Sequence, residues 1–506
     1  MPLNYVKKIL QAKVYDIAIE TPLDPAPRLT RRLNNQVFLK REDLQPVFSF
    51  KIRGAYNRMV NLSEEERNKG VIAASAGNHA QGVAMSAGKL GISATIVMPK
   101  TTPPIKVEAV KSRGARVILK GDSYDEAYKH AITLAEEKDA TFIHPFDEEL
   151  VIAGQGTVGM EILRQHNKLL NYIFVPVGGG GLIAGISAYV KYVSPETKVI
   201  GVEPEDAPTL YKAMEAKRRV KLKQVGIFAD GVAVAQIGKE TFRIAKDCVD
   251  EVILVTTDEI CAAIKDVFDD TRTVAEPAGA LAIAGMKKYV EQYKLKDKSL
   301  VAIESGANIN FDRLRHVAER AELGEKKEAL LAVEIPEKPG SFLAFCKTLG
   351  KRGITEFNYR YDDSAAAQIF CGVELQNGEQ EHQQIMQHLC DKGYKVVDLT
   401  DNEMAKLHVR HMVGGHAPQV KNEQLFRFVF PERPGALLDF LKGLSRGWTI
   451  SLFHYRNHGS AYGRVLLGIQ LKPSEKHQFE KFLRENGYRF TEETDNPAYR
   501  LFVGSG

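Results

Sequence analysis

The chain has 506 residues, 44% of them hydrophobic and 26% charged, with a formal net charge of +5. Such proportions are ordinary for a soluble globular protein, and a small positive balance with interleaved acids and bases gives no case for nucleic acid as a partner. No run approaches the roughly 18 uninterrupted apolar residues of a membrane span, and Met1 to Leu10 lacks the character of a signal or transit peptide.

The length suggests roughly three domains. Cysteines 248, 261, 346, 371 and 390 are odd in number and scattered, with no CxxC pair and no Cys/His cluster. Neither a disulfide framework nor a structural metal site is indicated, and a cytoplasmic location is expected.

In chain order, the first informative stretch is Ser49-Phe50-Lys51-Ile52-Arg53-Gly54-Ala55-Tyr56-Asn57. Lys51 lies between an aromatic residue and the start of a predicted helix. A lysine there is either an ordinary solvated charge or, deprotonated, a nucleophile toward a carbonyl. From about 35 to 310, short β-branched runs alternate with helical stretches. Residues 71–74, 94–98, 116–119, 172–177, 198–202 and 300–303 read as buried strands, and 79–90, 104–113, 123–137 and 182–192 as helices. This predicts an α/β architecture of parallel sheets covered on both faces, with ligands at the carboxyl ends of strands.

A charged stretch at about 312–326 reads as a helical connector, and beyond it the sequence repeats. Pro336-Glu337-Lys338-Pro339-Gly340 returns as Pro431-Glu432-Arg433-Pro434-Gly435. Phe357-Asn358-Tyr359-Arg360 returns as Phe453-His454-Tyr455-Arg456, and Gly372-Val373-Glu374-Leu375 as Gly468-Ile469-Gln470-Leu471. The spacing is 95 or 96 residues throughout. Each copy reads as a βαββαβ unit of ferredoxin-like plan, with a polar linker at about 400–421 containing Gly414-Gly415-His416. Two such units behind a catalytic-looking domain suggest a sensor; an oligomer interface is the plainer alternative.

Three Gly/Ser/Asn-rich turns follow predicted strands. Val177-Gly178-Gly179-Gly180-Gly181-Leu182 opens a helix, where consecutive backbone amides and the helix N-terminus can cradle a phosphate. With Ala184 and with Glu203 after the next strand, the same loop imitates a dinucleotide fingerprint, so an NAD-dependent dehydrogenase stays open at this point. Ser75-Ala76-Gly77-Asn78-His79-Ala80-Gln81-Gly82 offers amides and hydroxyl for a carboxylate, with Asn78 as a donor to a phenolic oxygen; an ordinary helix cap is the alternative. Ser305, in Glu304-Ser305-Gly306-Ala307-Asn308, can hydrogen-bond a ring nitrogen without charging it. Glu276, ahead of the Pro277 helix start, is a candidate for positioning substrate or for facing the helix dipole.

Ser49-Phe50-Lys51-x-Arg53-Gly54-Ala55, Ser75-Ala76-Gly77-Asn78-His79, the glycines at 178–181 and Ser305-Gly306-Ala307-Asn308 stand in the order of pyridoxal-phosphate enzymes of fold type II. With Gln45-Pro46-Val47-Phe48 before Ser49, the chain more narrowly resembles biosynthetic threonine dehydratase (threonine ammonia-lyase), long form, over essentially its whole length. The resemblance implies a catalytic domain at 1–320 with a smaller subdomain inserted at about 45–150. It also implies two ACT-like regulatory domains at 326–400 and 421–500. Lys51 would hold the cofactor as a Schiff base with Phe50 packed on the ring, Gly178, Gly179, Gly180, Gly181 and Leu182 would bind its phosphate, Asn78 its phenolic oxygen and Ser305 its ring nitrogen. Ser75, Ala76, Gly77, Asn78 and His79 would take the substrate, and Gly231, within Asp230-Gly231-Val232-Ala233-Val234, would face the cofactor ring.

The implied reaction is conversion of L-threonine, with L-serine as a lesser substrate, to 2-oxobutanoate and ammonia in isoleucine biosynthesis. Isoleucine would inhibit and valine relieve, with Tyr359 and Tyr455 as effector contacts, in a homotetramer. A same-fold serine dehydratase, racemase or β-replacing synthase is the alternative. Thr209 stands where serine racemase-like relatives place an acidic metal ligand, so no divalent site is expected, and a monovalent cation held by carbonyls is a further candidate.

Overall fold

The computed structural model describes residues 2–506 apart from 122, 312, 339, 361–365, 408, 413, 416, 432–435, 445–447, 457–461, 486–489, 497, 498, 500–502 and 504–506. Pro339, His416 and the second copy's Glu432-Arg433-Pro434-Gly435 therefore lie outside the described residues. Two compact units divide the chain, Met1–Ala321 and Glu322–Gly506.

In the first unit the apolar runs form two sheets. Arg116–Leu119, Ala94–Met98, Val71–Ala74 and Thr141–Phe142 lie in that order, all parallel. This small sheet is inserted in the sequence between two strands of a six-stranded sheet, ordered Leu23–Pro25, Gln36–Arg41, Ser299–Glu304, Tyr172–Pro176, Lys198–Pro204, Glu251–Val255. Only the edge strand Leu23–Pro25 runs antiparallel. Every residue of Ala94–Met98 and Ser299–Glu304 is buried, which is why these strands are apolar without alternation. Predicted and observed helices agree within a few residues: Asn78–Leu90, Pro104–Lys111, Tyr124–Glu137 and Gly181–Val193.

A wholly buried ionic cluster ties the Lys51 helix to the larger sheet. Arg53, fully buried, donates through Nε to Glu42 Oε2 (2.7 Å), through Nη1 to Glu161 Oε1 (2.5 Å) and through Nη2 to Ile19 O (3.2 Å). Lys40, on strand Gln36–Arg41, donates to the other oxygen of Glu161 at 2.6 Å. Glu161 belongs to helix Glu149–Gln165, which packs on helix Lys51–Val60. Buried charges survive only when paired and hydrogen-bonded in this way.

The second unit contains the βαββαβ plan twice. The first copy is Glu328–Pro336, Ser341–Leu349, Ile354–Arg360, Ala366–Glu374, Gly378–Asp391 and Lys395–Asp398. The second is Glu423–Pro431, Ala436–Gly443, Thr449–Arg456, Tyr462–Gln470, Lys476–Glu485 and Phe490–Glu492. Their strands merge into one eight-stranded sheet, joined by Ile354–Arg360 running antiparallel to Thr449–Arg456. Both joining strands carry an irregularity at the same place, after Ile354 and after Ile450. Among the described residues no helix is long and apolar enough to cross a membrane.

Candidate active site

Seven segments distant in sequence converge on one cavity in the first unit. Its wall includes Lys51, Asn78, Phe146, the Gly178–Gly181 loop, Glu276 and Ser305. Lys51 is the first residue of its helix; its Nζ donates to Pro145 O at 3.2 Å and lies 5.3 Å from the centre of the Phe50 ring. Burial pulls the amine down to about 8, against the upward pull of the Glu276 carboxylate. The sequence left Lys51 between a surface charge and a nucleophile; its surroundings favour the nucleophile.

The glycine loop is held from behind. Thr241 Oγ1 and Gly238 N both donate to Gly179 O, at 2.8 and 3.2 Å, and Thr209 Oγ1 lies 3.2 Å from Gly178 O. With its carbonyls so engaged, the amides of Gly179, Gly180, Gly181 and Leu182 donate to no other described residue. A Cβ on Gly179 would come within 2.2 Å of the Phe146 ring, so only glycine fits under that ring. A helix N-terminus with unpaired amides and no side chain in the way fits an incoming phosphate.

Ser305 follows the end of strand Ser299–Glu304, buried, with Oγ donating to Ala278 O at 3.2 Å. A hydroxyl can turn from that carbonyl to a ring nitrogen and remain neutral. Asn78 Nδ2 donates to Glu276 Oε1 at 2.5 Å, and its Oδ1 accepts from Asn308 Nδ2 at 2.7 Å. Glu276 is pushed up to about 7 by burial and by the nearby Asp230 charge. Gly231 and Val232, in the short helix Asp230–Val232, reach the cavity wall.

Other residues singled out by the sequence stand outside the cavity wall. His79 is buried and its Nε2 pairs with Ile143 O at 3.0 Å, which makes it a brace to the small sheet and not a wall of the cavity. Burial, with Lys51 nearby, holds its pKa down at about 3, so the ring is neutral. Ser75, Ala76 and Gly77 form a half-buried turn, with Gly77 N donating to Ser75 Oγ at 3.2 Å, beside the cavity but outside its wall. Glu203 is fully buried and accepts from Thr209 Oγ1, Leu210 N and Tyr211 N; it caps helix Thr209–Ala216 and does not offer a carboxylate to a ribose. The dinucleotide reading of the glycine loop falls with it.

Tyr359 and Tyr455 are both buried in the second unit's aromatic core, where Tyr359 pairs with Phe453 and Tyr455 with Phe357. Their rings pack in that core, and the Tyr359 hydroxyl donates to the Glu337 carboxylate at 3.0 Å. Phe146 and Asn308 carry no role in the sequence reading. Phe146 precedes an unpredicted helix, and its place against Gly179 is set by tertiary contact alone. Asn308 closes a motif the sequence did single out.

Fold and site together define a pyridoxal-phosphate-dependent enzyme of fold type II. Residues 14–306 match the family of pyridoxal-phosphate dependent enzymes, and residues 319–409 and 414–503 each match the C-terminal regulatory domain of threonine dehydratase. The chain is 55% identical over 503 residues to the biosynthetic L-threonine dehydratase of Burkholderia multivorans, covering 99% of each chain. It is 52% identical over 515 residues to the mitochondrial threonine dehydratase of Saccharomyces cerevisiae, covering 99% of this chain and 89% of the relative. Among solved structures, the processed threonine deaminase isoform 2 of Solanum lycopersicum aligns with a TM-score of 0.63 at 52% identity, over 64% of this chain and 88% of that one. Maize serine racemase aligns with a TM-score of 0.58 at 31% identity, over 62% and 96%. The chain belongs to the biosynthetic threonine dehydratases, lyases that use pyridoxal phosphate.

Proposed function

We propose that this enzyme converts L-threonine to 2-oxobutanoate and ammonia, with L-serine as a lesser substrate, and that Lys51 is its catalytic residue. The observation that carries the reading is the meeting of the Lys51 amine, the unpaired amides of Gly179–Leu182, Asn78 and Ser305 at one cavity. Lys51 would hold the cofactor's aldehyde carbon, the glycine loop its phosphate, Asn78 its phenolic oxygen and Ser305 its ring nitrogen. Bound there, pyridoxal phosphate supplies an electron sink for the pair left when a proton leaves Cα.

The protein supplies the rest. An amine with its pKa drawn down to about 8 is partly neutral near pH 7 to 8, and can take the substrate's Cα proton. A neutral serine at the ring nitrogen leaves that nitrogen without a full positive charge, which favours loss of the β-hydroxyl over transamination. The turn Ser75–Gly77, at the start of helix Asn78–Leu90, is suited to the substrate carboxylate.

The duplicated second unit supports end-product control, with isoleucine as inhibitor and valine as its antagonist, in a homotetramer. Two effectors differing by one methylene are separated by only about 1–3 kcal/mol in an apolar pocket. Opposite responses need two sites or two states, which a duplication provides. The test is the visible spectrum of the purified protein before and after threonine, with Lys51→Ala beside it. Parent protein should show the lysine-bound cofactor band, change it on threonine and release 2-oxobutanoate. An identical band in Lys51→Ala would overturn the assignment.

A further inference from the structure

We propose that Asp147 is a positioning residue for the cofactor's phosphate: from a distant segment it caps the helix whose first turn holds the glycine loop. The inference rests on reading Gly178–Gly181 as the phosphate cradle, and adds to it the residue that sets its shape.

Helix Lys239–Cys248 begins without a cap of its own, because the residue before it is Gly238. Its first three amides turn instead to Asp147, 92 residues before Lys239. Lys239 N donates to Oδ2 at 2.7 Å, and Glu240 N and Thr241 N donate to Oδ1 at 2.8 and 3.2 Å. Without that carboxylate those amides would be orphans, and its charge faces the positive end of the helix dipole. Gly238 is part of the same arrangement, since a Cβ on it would come within 2.4 Å of Asp147 Oδ1. A residue that capped the helix with its own side chain has no room there.

The turn so fixed carries both donors to Gly179 O, Thr241 Oγ1 and Gly238 N. Gly179 C=O and Gly180 N–H belong to one planar trans peptide, so they point in opposite directions. Holding the carbonyl from behind therefore aims the Gly180 amide forward. If the first turn of the helix frays, Thr241 lets go of the carbonyl and that peptide can swing.

The same segment reaches the other end of the site. Asp147 closes His144-Pro145-Phe146-Asp147, which leads from strand Thr141–Phe142 of the small sheet to helix Glu149–Gln165. Pro145 O accepts from Lys51 Nζ, and Phe146 lies against both Gly179 and Gly181. His144 Nδ1 accepts from Phe146 N at 3.2 Å and from Asp147 N at 2.8 Å, which stiffens the turn. Burial pushes the His144 ring down to about 4, against the pull of Asp147, so Nδ1 stays an acceptor at neutral pH. Four consecutive residues thus set the amine and the cradle relative to one another.

The test is titration of the full-length protein, freed of cofactor, with pyridoxal phosphate and with pyridoxal, which has the same aldehyde and no phosphate. The ratio of the two affinities reports on the cradle alone. We expect Asp147→Ala to weaken pyridoxal phosphate roughly 2- to 30-fold, the range of a lost helix cap, and to leave pyridoxal as in the parent. Thr241→Val keeps the cap and removes the hydroxyl on Gly179 O, and should lower the ratio about 2- to 10-fold. Asp147→Asn keeps an oxygen for Glu240 N and Thr241 N, and should recover most of the loss. A parent-like ratio in Asp147→Ala would overturn the positioning role, and so would an equal loss for both ligands, which marks a general loss of structure. Should Asp147→Ala fail to fold, a parent-like ratio in Thr241→Val overturns the role on its own. A parent that binds pyridoxal as tightly as pyridoxal phosphate would overturn the reading of the glycine loop itself.

Discussion

Asn78 donates its side-chain amide to Glu276 at 2.5 Å, and this bond decides how the active-site amide faces. Asn308 fixes the opposite end: its Nδ2 donates both to Asn78 Oδ1 (2.7 Å) and to Val47 O (2.8 Å). An amide whose oxygen is already accepting cannot flip without losing two bonds, so Asn78 presents its remaining N–H in a set direction. The carboxylate that does this sits deep, under Gly231 and Gly306, where burial pushes it up to about 7 and leaves it about half protonated at neutral pH.

Asn308→Ala should therefore loosen Asn78 without touching Lys51. Losing one hydrogen bond of ordinary strength is worth about 0.5–1.5 kcal/mol, or roughly 2- to 10-fold in cofactor affinity. Equilibrium binding of pyridoxal phosphate to the apoprotein measures it, together with the position of the visible band. Unchanged affinity and spectrum would show that Asn78 needs no such brace.

Glu276→Gln keeps an acceptor for Asn78 but removes the ionisation. The folded pKa of Glu276, about 7, stands above the ordinary value of 4.5. The unfolded chain therefore gives up the proton first as pH rises, and stability falls between those two values. Across the whole window the cost is about 3 kcal/mol. The variant escapes it, so its gain over the parent in denaturant unfolding of the apoprotein should be small at pH 5 and approach that figure at pH 8. A pH-independent difference would contradict the assignment.

Lys51 follows the same logic on the basic side. Its amine is protonated below about 8, so reaction of the apoprotein with pyridoxal phosphate should quicken as pH rises through that value. Glu276→Gln removes the charge that raises the amine's pKa, and the midpoint should move to lower pH. Stopped-flow absorbance across pH 6 to 9 would register the shift.

Gly179→Ala places a methyl 2.2 Å from the Phe146 ring. Overpacking of this kind costs about 1–3 kcal/mol, here paid at the phosphate cradle, so cofactor affinity should fall roughly 5- to 150-fold. Adding Phe146→Leu should restore part of the loss; no recovery would mean that the methyl obstructs the cofactor itself.

Arg53→Met leaves Glu42 and Glu161 buried with fewer partners. Breaking one member of a buried ionic cluster costs about 3–5 kcal/mol, so the denaturant midpoint should drop sharply. Arg53→Lys should rescue poorly, because one ammonium cannot replace the three guanidinium nitrogens that reach Glu42, Glu161 and Ile19 O.

The sequence by itself determined the parallel α/β plan, the glycine cradle and the twin βαββαβ units. These are written in local patterns: continuous apolar strands, Gly runs at strand ends, and motifs that return every 95 or 96 residues. It also singled out Lys51, Asn78 and Ser305 as residues able to serve one cofactor. Tertiary structure alone decided that His79 braces a strand, and that the rings of Tyr359 and Tyr455 pack in a core. It alone brought Phe146 over Gly179 and Asn308 onto Asn78, contacts that span 33 and 230 residues of chain. Local propensity carries no record of such partners. Burial and hydrogen-bond geometry, which set the Lys51 amine at about 8 and Glu276 at about 7, exist only once the segments have met.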